Sequence, residues 1–265
     1  MMNIWVISGC SSGLGRCWMD SIITERQELV IGITRSEELA EIMAKQYKDL
    51  FVPCVEDIQN SEQLAQKLLK ITQVVGKPSR VVTAAGFAQF GTLEDLSNEQ
   101  IREQLRTNVE GTLNVIRPLL PVMRELSSSR ILLVSSMSGV ACWPLLGAYQ
   151  ISKHAIEAIS DTLRQELQGS SIQVGCIEPG PHKTGWATKY ARRIEISPHY
   201  NASDLISRAS CGYVIEDPEA SLPFFWKMFD TPIMPRRLAT SREFVDFAVR
   251  EAQEKIQNWR NAHDN

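Results

Sequence analysis

Through the first two thirds of the chain, short runs rich in β-branched residues alternate with longer stretches in which apolar residues recur every three or four positions. The short runs, at 3–8, 29–34, 50–55, 80–84, 130–135 and 172–178, are nearly continuous in apolar character, as strands covered on both faces must be. The stretches 15–25, 37–47, 61–75, 98–126 and 148–167 predict helices, with Ser61 and Ser97 as N-caps. Strands alternating with helices in this way close a parallel sheet through right-handed crossovers. The expectation is an α/β fold: a Rossmann-like, doubly wound parallel sheet of six or seven strands in three layers.

After Pro179 the pattern changes. Proline and aromatic residues become frequent, and only the stretch 241–259 is clearly helical again. The region 186–235 is too irregular for a second sheet and is expected to form a partly helical lid over the carboxyl edge of the first, where α/β folds bind ligands. The 265 residues are expected to form a single domain, 1–265, with the polar end 261–265 fraying.

Composition narrows the field further. An apolar fraction of 43% and a charged fraction of 22% are those of a globular protein, and a formal charge of -3 supplies no electrostatic reason to expect nucleic acid. Six cysteines, at 10, 17, 54, 142, 176 and 211, contain no C-x-x-C pair, so neither a zinc site nor a disulfide framework is implied and a reducing cytoplasm fits. The first apolar run is only a strand long and enters a glycine-rich turn, unlike a signal peptide, and no run is long enough for a membrane span.

Two constellations carry chemistry. Ser8-Gly9-Cys10-Ser11-Ser12-Gly13-Leu14-Gly15 joins the first strand to the first helix. Glycines 9, 13 and 15 allow a tight turn and a close approach of the backbone to a pyrophosphate, whose charge the following helix N-terminus favours. The spacing is G-x-x-x-G-x-G, which a simple turn could also show. Farther on, Tyr149 and Lys153 stand four apart on a helix and so share a face. An ammonium beside a phenol stabilises phenolate and brings its pKa towards neutrality, making it a proton shuttle. Alone, the pair reads as readily as a half-packed tyrosine beside a solvated lysine. It is not alone, because the strand 130–135 delivers Ser135 and Ser136 to the same sheet edge, and Asn108 sits inside a helix where a side chain that competes with the backbone needs a reason.

Gly9, Gly13, Gly15, Asn108, Ser136, Tyr149 and Lys153 together resemble the short-chain dehydrogenase/reductase family over nearly the whole chain. Asp57-Ile58 is similar to the family's adenine-contacting pair, and Pro179-Gly180-Pro181-His182-Lys183-Thr184 to its P-G-x-x-x-T segment beside the nicotinamide carboxamide. Residues 177–186 and 235–259 resemble the bacterial and fungal branch near hydroxysteroid and retinol dehydrogenases. The resemblance implies hydride transfer at a nicotinamide, with Tyr149 as acid/base and Ser136 bonded to the substrate oxygen. Lys153 would hold the nicotinamide ribose and lower the Tyr149 pKa, and Asn108 would position a water that relays protons to Lys153. One departure stands out: the family's usual Asn-Ala-Gly is Ala84-Ala85-Gly86 here. An amide that ties neighbouring strands is thus missing, which predicts weaker cofactor affinity or stability with the chemistry intact.

The second strand ends Thr34-Arg35-Ser36, without the acidic residue that would bond ribose hydroxyls and repel a 2′-phosphate. A guanidinium there favours the phosphate, with Ser12 and Ser36 as further donors, so the expected cofactor is NADP(H), bound also by Ser11, Leu14, Ala85 and Gly86. Met137, Trp143 and Trp186, with Phe87, Phe90, Val140, Leu146 and Tyr190 nearby, suit an apolar ketone, aldehyde or alcohol as substrate. His182, after a Pro-Gly-Pro turn, is expected to cap or face solvent. No carboxylate or cysteine cluster joins it or His199 in a metal site. Two other readings stay open: non-redox chemistry in the same pocket (an epimerase, dehydratase or cyclase) and an NADP-binding sensor. The resemblance also implies a homodimer or homotetramer packed through 98–126 and 148–167.

Overall fold

The computed structural model describes residues 2–210 and 214–264, so Cys211 and Asn265 lie outside the described residues. Seven parallel strands form the main sheet: β1 (Ile4–Ser8), β2 (Leu29–Thr34), β3 (Phe51–Val55), β4 (Arg80–Thr83), β6 (Ser129–Val134), β7 (Ile172–Glu178) and β9 (Arg237–Ala239), in the order β3-β2-β1-β4-β6-β7-β9. Two two-residue strands, β5 (Gln89–Phe90) and β8 (Arg192–Arg193), pair in parallel beyond its carboxyl edge. The order reverses between β1 and β4, which opens a crevice at their carboxyl ends.

Alternation along the strands sorts side chains to two cores. On one face Val6, Ile31, Val81, Ile131 and Val174 meet helices α3 (Ser61–Val75), α5 (Gly111–Ile116) and α7 (Gly147–Glu166) through Leu64, Leu68, Val115, Ile116 and Ile156. On the other, Trp5, Ile7, Val30, Val82 and Leu132 meet α1 (Gly13–Arg26) and α9 (Leu222–Asp230) through Trp18, Met19, Ile22, Phe225 and Met228. Helix α2 (Glu37–Tyr47) follows β2, and α4 (Asn98–Leu105), α6 (Leu120–Arg124), α8 (Ala202–Ser210) and α10 (Arg242–Asp264) complete the helices among the described residues.

Several sequence expectations change here. The stretch 98–126 is not one helix. A π turn at Arg106–Glu110 separates α4 from α5, and α5 stops before Pro118, which has no N–H to continue the helical bonding; Arg117 itself keeps helical backbone and donates to the Leu113 carbonyl. Ser97 does cap α4, in a reciprocal box with Gln100, but the cap of α3 is Asn60 and not Ser61. The Asn60 amide is spent on Glu56 at 2.9 Å. The stretch 186–235 divides in two. Its first part covers the crevice, whereas α9 is core: Trp18 and Phe225 stack at 4.9 Å, Trp5 and Phe229 meet at 4.5 Å, and Ser221 accepts the Trp18 indole N–H at 2.8 Å. The aromatic residues that suggested a lid are there because α9 replaces solvent over β1 and β6. Helix α10 continues past 261 to Asp264, and Asn265, the last residue of the tail expected to fray, lies outside the described residues. Among the described residues no helix is long and apolar enough to cross a membrane.

Candidate active site

The turn from β1 into α1 has a backbone that only glycine fits. Gly9 has φ +74°, and a Cβ there would lie 2.7 Å from the Ala85 nitrogen; a Cβ on Gly15 would lie 2.4 Å from the Gly9 carbonyl oxygen. Ser12 stands at the N-cap of α1 with no side-chain capping bond, so the helix leaves backbone N–H groups facing the crevice. A cradle of bare backbone at the positive end of a 14-residue helix suits the pyrophosphate of a dinucleotide. Opposite it, Thr184 lies 3.5 Å from where a Gly13 Cβ would stand, which brings the Pro179–Thr184 segment to the same crevice. That segment is tied down by Gly180 N–H to Thr240 Oγ1 (3.1 Å) and by Met137 N–H to the Pro179 carbonyl (3.2 Å).

A cavity of about 430 Å³ runs from this turn outward. Its inner part is lined by Gly9, Ser12, Gly13, Leu14, Gly15, Ala85, Gly86, Ser136, Tyr149, Lys153, Pro179, Gly180 and Thr184; its outer part by Phe90, Met137, Trp143, Leu146, Trp186, Tyr190 and Arg193. Tyr149 and Lys153 share the buried face of α7, and Ser136 leaves β6 in extended backbone so that its hydroxyl faces the phenol. Burial pushes the Tyr149 phenol up, with the hydrogen bond to Ser136 acting in the opposite sense. Burial also draws the Lys153 ammonium down to about 8, opposed by Cys176 and Glu157. The expected lowering of Tyr149 by Lys153 is therefore not the dominant balance: Lys153 Nζ donates to the Val134 carbonyl at 2.8 Å and lies 5.6 Å from the Tyr149 ring centre.

The sequence matches a family model described as short chain dehydrogenase over residues 3–195. The chain belongs to the short-chain dehydrogenase/reductase family. It is 27% identical to oxidoreductase BOA17 of Botryotinia fuckeliana over 96% of this chain and 94% of that one. It is 33% identical to an NADPH-dependent 3-dehydrocapnine reductase of Ornithobacterium rhinotracheale, over 69% of this chain and 66% of that one. A solved short-chain dehydrogenase from Streptomyces avermitilis superimposes with a TM-score of 0.90 at 25% identity, covering 100% of this chain and 98% of that one. Membership makes the protein an oxidoreductase of this family and explains why α1, β6 and α7 converge on one crevice.

Other expected positions fall elsewhere. Thr34, Arg35, Ser36 and Asp57 lie beyond the glycine turn at the ends of β2 and β3. Arg35 is 74% exposed and stands 3.5 Å from Asp57, while Ser36 caps α2 by accepting the Leu39 N–H. Ile58 sends its side chain into the core, so only its backbone is available to a ligand. Phe87 and Val140 do not line the cavity: Phe87 packs under Arg192, and Val140 borders a separate groove beside α10. His182 is half-buried and lines the cavity: one ring nitrogen bonds the Gly180 carbonyl at 2.9 Å, and the other, Nε2, is buried with no partner among the described residues.

The Asn108 amide is largely spent. Its Oδ1 accepts the Phe87 N–H at 3.1 Å, and its Nδ2 donates to the Phe87 carbonyl (3.1 Å) and to Ser152 Oγ (3.0 Å). A water running to Lys153 has only the second lone pair of Oδ1 or the backbone carbonyl to use. Gln104, one turn earlier, was not singled out by sequence, yet it is fully buried and holds Gln89 N–H and the Phe87 carbonyl. Its i,i+4 spacing to Asn108 was the available signal. Where Asn is usual, Ala84 leaves Ser8 Oγ to accept the Ala85 N–H at 3.3 Å.

Proposed function

We propose that the protein is an NADP(H)-dependent oxidoreductase interconverting an apolar ketone or aldehyde and its alcohol, with Tyr149 as acid/base. The carrying observation is the convergence of Tyr149, Ser136 and Lys153 at the inner end of a cavity whose other wall is the glycine cradle. The bound nicotinamide supplies or takes the hydride. Tyr149, kept protonated by burial, gives a proton to the carbonyl oxygen as charge develops on it; in the reverse direction its phenolate, after passing the phenol proton to Lys153, takes the proton of the alcohol. Ser136 donates to the same oxygen and holds it in place. Lys153 replaces the lost proton from below and would bond the nicotinamide ribose. Asn108 and Gln104 clamp 87–89 and keep the turn beside Ser152 and Lys153 in register.

The preference for NADP(H) is supported by Arg35 at the end of β2, where the strand ends Thr34-Arg35-Ser36 without an acidic residue, and by the NADPH-dependent reductase of Ornithobacterium among its relatives. Asp57 beside Arg35 orients the guanidinium, and a 2′-phosphate would compete for it. The same reading places the enzyme in the cytoplasm as a dimer or tetramer. Purified protein should oxidise NADPH faster than NADH with a panel of apolar ketones, quinones and aldehydes. Arg35→Asp should move the ratio of kcat/KM towards NADH by about tenfold or more. Tight NADPH binding without turnover of any member would instead favour non-redox chemistry or a sensor, and an unchanged ratio in the variant would remove Arg35 from cofactor choice.

A further inference from the structure

The described lining of the cavity contains no Asp or Glu. At the glycine end this suits a pyrophosphate. At the outer end, among Phe90, Trp143, Leu146, Trp186 and Tyr190, there is no such need, yet a single cation, Arg193, completes the wall. Its neighbour Arg192 is neutralised by Glu103 and stacked on Phe87. Arg193 has no carboxylate partner among the described residues. One N–H goes to the Ala187 carbonyl at 2.9 Å, and the guanidinium lies 4.4 Å from the centre of the Phe90 ring. The backbone on either side is fixed by the pairing of β8 with β5, through Arg192 N–H to the Ala88 carbonyl and Ile194 N–H to the Phe90 carbonyl. A guanidinium has five N–H donors, so this one, on an exposed residue, is oriented by one hydrogen bond and one ring and keeps donors to spare. An aromatic wall raises the field it exerts on a ligand.

The path from the reacting end is short and aromatic. Tyr149 meets Trp186 at 4.8 Å, Trp186 meets Phe90 at 6.0 Å, and Phe90 carries Arg193. We propose that Arg193 is an anion-recognition residue, and that the substrate is an apolar carbonyl compound or alcohol bearing a carboxylate, sulfonate or phosphate group at its far end. This rests on the reductase reading for the place of the carbonyl. An apolar body packs on Trp186 and Phe90 while the anion takes the free donors of Arg193. Such a contact strengthens binding of substrate and transition state alike, so it acts on KM more than on kcat.

The test is a tryptophan-fluorescence titration of NADPH-saturated protein with octanoate and with octan-1-ol, which share chain length and differ in charge. Wild type should bind octanoate about tenfold more tightly than the alcohol, as a charge-assisted bond predicts. Arg193→Gln should remove that preference, Arg193→Lys should keep part of it, and Arg192→Gln should keep it whole. Equal affinities in wild type, a preference that survives Arg193→Gln, or a weakened NADPH affinity in that variant in place of a lost anion preference would each overturn the proposal. Because the titration needs no turnover, an inactive ketone panel with the octanoate preference intact would count against the reductase reading alone.

Discussion

Tyr149 shows how much a single residue depends on its surroundings. A phenol that burial keeps protonated is poised to donate, so reduction should fail when the hydroxyl is removed. Tyr149→Phe is expected to keep NADPH affinity and to lose about a thousandfold in kcat/KM for carbonyl reduction, measured at saturating NADPH. Undiminished turnover would take Tyr149 out of the mechanism. Glu178, at the end of β7, offers a second residue-scale prediction. Burial pushes its carboxyl up to about 7, with Glu157 adding to the rise and Arg237, 3.7 Å away, opposing it. A carboxyl raised above its ordinary value near 4.5 stabilises the fold below that pH, and the contribution is lost as pH rises to about 7. Glu178→Gln should therefore gain up to about 3 kcal/mol over wild type in urea denaturation at pH 8 and little at pH 5. An equal difference at both pH values would show that the carboxyl is not held neutral.

At the scale of elements, α9 is packed by aromatic side chains and its end is closed by one side chain from the sheet. The Arg130 guanidinium donates to the carbonyls of Met228 (3.0 Å), Phe229 (2.7 Å), Thr231 (2.5 Å) and Pro232 (3.2 Å), which closes the carbonyl end of that helix with positive charge. Arg130→Met should cost about 2–4 kcal/mol in thermal or chemical unfolding, because two buried and two part-buried acceptors lose the same donor together. A loss below about 0.5 kcal/mol would mean that aromatic packing alone seats α9. The π turn in the middle of 98–116 belongs to the same scale. Within it the Asn108 amide reaches Phe87 and Ser152, partners 21 and 44 residues away, which helical periodicity cannot register.

For the whole molecule, the cavity wall is of two kinds. The inner half is set by the main sheet and α7, while the outer half hangs on the two-residue pairing of β5 with β8. Cofactor binding should therefore order the outer half most. NADPH at about a hundred times its Kd should raise stability by about 2.7 kcal/mol. In hydrogen-exchange mass spectrometry the protection should concentrate in 9–15 and 179–194 and leave 222–230 unchanged. Absence of protection at 179–194 would detach that segment from the cofactor site.

By itself the sequence determined the parallel sheet and the glycine turn, which rest on local periodicity and on spacing within one turn, whereas the candidate quartet of Asn108, Ser136, Tyr149 and Lys153 rested on the spacing of its last two members on one helix and on the resemblance to the family. Only the tertiary structure decided that α9 is core, that the Asn108 amide is consumed by 87 and 152, that Ile58 and Phe87 turn away from the cavity, and that Arg193 faces it. Those outcomes depend on which distant segments meet, and side chains of one type, such as Arg192 and Arg193, take opposite roles according to whether a carboxylate from another element reaches them.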